Sequence, residues 1–142
     1  MNHSVNAAAA NQYRSVGIQH DVANASPHRL IQLLMERFIT KVAMGRRHMQ
    51  AGDVAEKGET ISHAISIVDC LRASLNHETD ADLSGNFDAL YDYMSRRLLE
   101  SNLHDDIEGL DEVVGLMREI KSAWDAIADE VASDPETLGP AA

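Results

Sequence analysis

From Asn24 onward the apolar residues recur every three or four positions, the spacing that keeps side chains on one face of an α-helix. The first such stretch opens at Asn24-Ala25-Ser26-Pro27. Ser26 can cap free backbone N–H groups there, and Pro27 sits where its missing donor does no harm. Ile31, Leu34, Phe38, Val42, Gly45 and Met49 form the stripe, and Gly52 offers a left-handed stop. Asp53, with Glu56 three residues later, reads as a capping arrangement for a second helix. Ile61, Ile65, Val68 and Leu75 carry that helix, although Gly58 weakens its first turns. From His77 to Gly85 the chain is polar and has no apolar period, which predicts a loop in which Ser84 or Asp82 caps the next helix. Phe87, Tyr91, Met94 and Leu98 make a third stripe ending near Asn102. Asp105 with Glu108 then starts the last helix. Its stripe of Leu110, Val113, Met117, Ile120, Trp124, Ile127 and Val131 alternates gaps of three and four, as in a bundle seam, with Trp124 expected to anchor the core.

The only prolines are Pro27, Pro135 and Pro140, so nothing between Ser26 and Ser133 carries the strongest helix breaker. Short connections between long helices favour antiparallel neighbours. The expected fold is therefore all-α: an antiparallel four-helix bundle over residues 26–132. A flexible N-terminal segment, 1–25, precedes it, with a short helix carrying Tyr13, Val16 and Ile18, and residues 133–142 are expected to be a disordered tail.

Composition narrows the partners. A chain of 142 residues suffices for one core. With 12 Lys plus Arg against 23 Asp plus Glu, the net charge is −11, which repels a nucleic-acid backbone or an anionic membrane surface. Cys70 is the sole cysteine, so no intramolecular disulfide can form. The N-terminus lacks the basic and apolar regions of a signal peptide, and no stretch reaches the ~18 apolar residues of a membrane span. The expectation is a cytoplasmic protein with no membrane insertion and no nucleic-acid partner.

The chemistries known for helical bundles each require particular residues at particular spacings. A di-iron site needs Glu followed three positions later by His on two helices. Here Glu36, Glu59 and Glu100 are followed at that spacing by Ile39, Ser62 and Leu103, so no metal site or cofactor is expected; Glu100 with His104 reads as surface decoration. Phosphotransfer through His63, the alternative function, would call for a nearby Lys and Gly, but Ala64, Ile65, Ser66 and Ile67 follow it. Cys70 falls on an apolar or small-residue face, where free cysteine behaves as a small hydrophobe. No nucleophile elbow or Gly-rich phosphate loop occurs, so no enzyme is expected.

Several helices carry more apolar surface than one face requires. Leu30 and Leu33 flank the first stripe; Ala64, Ile67, Leu71 and Ser74 run beside the second; Leu90 and Leu99 flank the third. A bundle helix needs an apolar arc of only ~100°. The surplus either lines a groove for another chain or belongs to a wider core closed by the N-terminal segment.

Specific motifs add a resemblance. Tyr13, then Asn24-Ala25-Ser26-Pro27 with Leu30-Ile31 and Leu33-Leu34, is similar to the opening of the flagellar secretion chaperones dedicated to flagellin, the FliS family. The similarity continues through Leu90-Tyr91-Asp92-Tyr93-Met94, Arg96-Arg97-Leu98, Asn102-Leu103, Asp105-Asp106, Leu110-Asp111-Glu112-Val113 and Trp124. The chain departs from the family's pattern at Leu34-Met35-Glu36-Arg37, where members commonly read Leu-Tyr-Asp-Gly. It departs again at Asp82-Leu83-Ser84-Gly85, where many carry paired glycines. The resemblance implies a chaperone that clasps the disordered C-terminal segment of flagellin, prevents premature polymerisation and helps present it to the flagellar export gate. Further flagellar regulators join flagellin as partners in that expectation. It also implies that the tyrosine segment, here around Tyr13, can cover part of the groove. The expected partner-binding residues are Tyr13, Ile18, Leu33, Ala64, Ile67, Leu71, Ser74, Leu90, Tyr91, Met94 and Leu98.

Overall fold

The computed structural model of the chain describes residues 25–75 and 81–133, with side chains described within 25–75 and 85–127. The expected N-terminal helix, including Tyr13 and Ile18, and the expected tail beyond Ser133 lie outside the described residues. Four helices follow one another: α1 (Pro27–Ala51), α2 (Val54–Ala73), α3 (Ala81–His104) and α4 (Ile107–Ser133). No described helix is long and apolar enough to cross a membrane.

Local chemistry sets the boundaries. Ser26 is extended and its Oγ accepts a hydrogen bond from the Arg29 N–H at 3.1 Å, while Pro27 takes the first helical position. Gly52 ends α1 at φ 75°, and its N–H and that of Asp53 return to the carbonyls of Met49 and His48. Asp53 does stand at the start of α2, but its side chain makes no capping bond and lies 3.9 Å from His48 Nδ1 instead. The predicted capping arrangement is corrected accordingly. α3 begins at Ala81, so the expected loop to Gly85 is also corrected. Ala, Asp, Leu and Ser can all enter a helix, and one Gly costs only ~1 kcal/mol, so polarity alone misplaced the start. Asp105, in the left-handed region at φ 51°, turns the chain after α3. Asp106 then caps α4, its Oδ1 accepting from the Gly109 N–H at 3.2 Å.

Cross-helix contacts show that neighbours run antiparallel. Gln32 near the start of α1 meets Asp125 late in α4 at 2.7 Å, while Arg46 near the end of α1 meets Asp111 early in α4 at 2.9 Å. Lys57, early in α2, reaches the Asn102 carbonyl at the end of α3. Arg72, late in α2, reaches Asp88 early in α3. Each helix packs on its chain neighbours, and α4 closes against α1. Two tight turns, Gly52-Asp53 and Asp105-Asp106, share one end of the bundle.

Leu34, Phe38 and Val42 of α1, Ile61 and Val68 of α2, Met94 of α3 and Val113 and Met117 of α4 are among the residues that fill the core. Gly45 lets α1 and α2 approach closely, since a Cβ there would stand 3.0 Å from Ile61 Cγ1. The α4 stripe is buried at Leu110, Val113, Met117 and Ile120, but Ile127 is 43% exposed, a correction to the seven-residue seam. Trp124 is half-buried at the core's edge. Its ring stacks on His28 with centroids 4.4 Å apart and planes 4° from parallel, and its Nε1–H donates to the His28 carbonyl at 3.0 Å.

Candidate partner-binding surfaces

The described members of the expected binding set separate by depth. Leu33, Ala64, Ile67, Leu71, Tyr91, Met94 and Leu98 are buried, whereas Ser74 and Leu90 are half-buried. Of the surplus apolar faces, Leu33, Ala64, Ile67 and Leu71 are buried, Leu30, Ser74 and Leu90 are half-buried and Leu99 is exposed. Each helix has two packed neighbours, so its buried apolar arc exceeds that of a helix lying on a single surface. Burial pushes the Tyr91 hydroxyl up to about 12. Burial, with Asp69 adding to it, likewise raises the Cys70 thiol, which stays in its unreactive protonated form. His63 is half-buried on α2 and engaged with its surroundings, which does not fit a bare phosphoacceptor.

The seams beside these residues are latched by charge. Between α2 and α3, the Arg72 guanidinium donates to both carboxylate oxygens of Asp88, at 3.0 and 3.4 Å, and lies 3.6 Å from Asp92. Asp92 also accepts from Arg96 at 3.0 Å. Between α3 and α4, the Tyr93 hydroxyl donates to Glu112 at 2.6 Å and Arg97 donates to the same carboxylate at 2.9 Å. These two bonds hold the Glu112 carboxyl below its ordinary range. Arg97 further contacts Asp106 at 3.1 Å and Glu100 at 3.3 Å. At the closed end, Lys57 donates to the Asn102 carbonyl at 2.9 Å and to Asp105 at 2.6 Å, so a side chain of α2 caps the end of α3. Much of the run from Asp92 to Glu112 thus holds the bundle's seams and turns.

Among the described residues, apolar side chains reach solvent toward both ends of the bundle. At the end where α1 starts and α2 meets α3, Leu30, Leu75, Phe87 and Leu90 are partly buried against the core, with Phe87 stacked on Tyr91 at 6.3 Å. Toward the other end, Val54 is 72% exposed, Leu99 60% and Leu103 74%. Val54 and Leu103 were not part of the expected set; their signal was an apolar residue outside its helix's stripe, which periodicity reads as noise. Among the described residues no group of three or more His, Cys, Asp or Glu could hold a metal ion.

Comparison with known proteins gives one consistent result. A family model described as flagellar protein FliS matches residues 9–131. The flagellar secretion chaperone FliSB of Pseudomonas aeruginosa is 45% identical over 120 residues, covering 84% of this chain and 95% of that protein. The flagellar secretion chaperones FliS of Salmonella typhimurium and Vibrio cholerae are 39% identical over 123 residues and 38% over 118. They cover 86% and 83% of this chain and 91% and 87% of their own length.

Proposed function

The chain belongs to the FliS family of flagellar proteins, and from that premise we propose that it is a cytoplasmic, non-enzymatic export chaperone for flagellin. In this reading it binds the disordered C-terminal segment of flagellin, prevents premature polymerisation and helps deliver the segment to the flagellar export gate. The observation that carries the reading is the family match over residues 9–131, which spans the bundle from before α1 to near the end of α4.

The half-buried rim supplies the entry. Ser74 and Leu90 sit at the same end as Leu30, Leu75 and Phe87, where an amphipathic segment finds apolar contact without unfolding the core. Leu33, Ala64, Ile67, Leu71, Tyr91, Met94 and Leu98 then act as the deeper floor, reached as the seam latched by Arg72 and Asp88 gives way. Tyr13 and Ile18 compete for the same surface from the N-terminal segment. Ordering a flexible partner costs conformational entropy, so the complex remains reversible despite a large contact area.

Calorimetry of the full chain with a flagellin C-terminal peptide tests this. Saturable binding at micromolar concentration is expected, and it should change when residues before Asn24 are removed. Absence of heat from a protein with an intact helical signal would refute the reading.

A further inference from the structure

We propose that Arg37 and Lys41 form a carboxylate-binding site that receives an acidic side chain of the partner segment carried along the α1–α2 seam. The proposal rests on the reading above that the partner is a peptide segment of another protein.

The two cations stand one turn apart on α1, at the spacing where like charges repel. Gly45, one turn further on, lies against Thr60 and Ile61 of α2, and Lys41 feels the charge of Glu59 on the same helix, so the stripe runs along the α1–α2 seam. Both side chains are half-buried. The other described cations withdrawn from solvent, Arg46, Lys57, Arg72, Arg97 and Lys121, each hold a carboxylate within 4 Å. Arg37 and Lys41 hold none among the described residues. Glu59 acts on Lys41 only from beyond ion-pair distance.

Arg37 adds a second, independent sign. Its Nε is buried and has no hydrogen-bond partner. A buried guanidinium N–H without an acceptor is unfavourable, and natural structures leave few such groups unexplained. An incoming carboxylate would satisfy that donor and separate the two positive charges with a negative one. A guanidinium beside an ammonium also matches a carboxylate in shape, the first giving directed N–H groups and the second a point charge. Desolvation and the nearby Arg37 charge both lower the proton affinity of Lys41, the response of an ammonium held next to a cation without its counter-ion. Arg47 and Arg118 likewise hold no carboxylate among the described residues, but both are exposed to water, which screens them.

The test has two arms on the full-length protein. The first is an NMR titration with acetate, following the Arg37 Nε–H and amides around residues 37–41. Saturable shifts there are expected, lost in Arg37→Gln and Lys41→Gln and kept in the exposed control Arg118→Gln. No saturable shift, or saturation by inorganic phosphate but not acetate, would overturn the carboxylate assignment. The second arm measures the affinity of the flagellin C-terminal peptide. Each Gln variant should weaken binding about tenfold at low salt, with the loss shrinking as salt rises, and Arg118→Gln should not reproduce it. Equal binding by wild type and both variants would overturn the partner assignment. If the peptide fails to bind any form while acetate still fills the site, the flagellin reading falls and the carboxylate site stands.

Discussion

Alanine in place of Gly109 is expected to destabilise the bundle, although Ala is the better helix former. Gly109 lies in the first turn of α4, directly against α3. A Cβ built on it would collide with the Ser101 Oγ and stand 3.0 Å from Cζ of Arg97. Ser101 is fully buried, so it has little space in which to yield. Overpacking of this kind costs about 1–3 kcal/mol. Displacing Arg97 from Glu112 and Asp106 adds roughly 0–1 kcal/mol, because those carboxylates are partly exposed. The gain from replacing Gly in a helix is at most ~1 kcal/mol and smaller in a first turn. The net expectation is a loss of about 1–2 kcal/mol. The Ser101 hydroxyl is itself buried without a hydrogen-bond partner, so Ser101→Ala should be close to neutral. In that background the Ser101 Oγ is gone and only the flexible Arg97 guanidinium has to yield, so Gly109→Ala should become close to neutral, giving a coupling energy of about 1–2 kcal/mol between the two sites. Urea unfolding of the four proteins in the cycle, followed by far-UV circular dichroism at constant m-value, measures it. A stabilising Gly109→Ala in the wild-type background, or independent effects of the two changes, would refute the close-approach argument.

Lys57→Met should cost about 1.5–3 kcal/mol, since it preserves the buried stem but leaves the Asn102 carbonyl without its charged donor; chemical denaturation reads this directly. The His28 proton affinity is lowered by burial, only partly opposed by Asp125, so the folded state prefers the neutral ring. As pH falls through the ordinary value of 6.5 the unfolded chain takes the proton first, and stability drops between there and the lowered folded value. Denaturation midpoints across that window should fall less in His28→Gln than in wild type; identical slopes would refute this. The Cys70 thiol, buried and raised in pKa, should resist a disulfide reagent in native buffer and react fully in denaturant.

The bundle was legible because its signals are local. Ser26-Pro27 and Gly52 mark the ends of α1 by backbone chemistry that does not depend on the rest of the fold, and the stripes of α1 and α4 mark their inner faces. Boundaries set by tertiary partners were less legible. Asp105 turns the chain with Lys57 bound to it from another helix, and Asp53 gives up its capping bond and sits near His48. The candidate site suffered from the same cause. Tyr91, Met94 and Leu98 have the same period whether they line a groove or a core, and the choice depends on how many neighbours each helix packs against. The Arg37–Lys41 pair was invisible for a related reason: a charge at helical spacing reads as solvated until the positions of every possible counter-ion are known.

The placement of the two tight turns at one end of the bundle has a consequence for how the protein breathes. There the backbone is tied by Gly52-Asp53, Asp105-Asp106 and the Lys57 bridge. At the opposite end α1 begins, α4 ends, and α2 and α3 are joined by a longer connection. Local opening should therefore run as a gradient along the helix axes, cheapest near Leu75 and Phe87 and costliest near Asn102. Amide hydrogen exchange would display it as protection that rises turn by turn along α3. A protein that must accept and release a long segment repeatedly can then loosen one end while the other keeps the four helices in register.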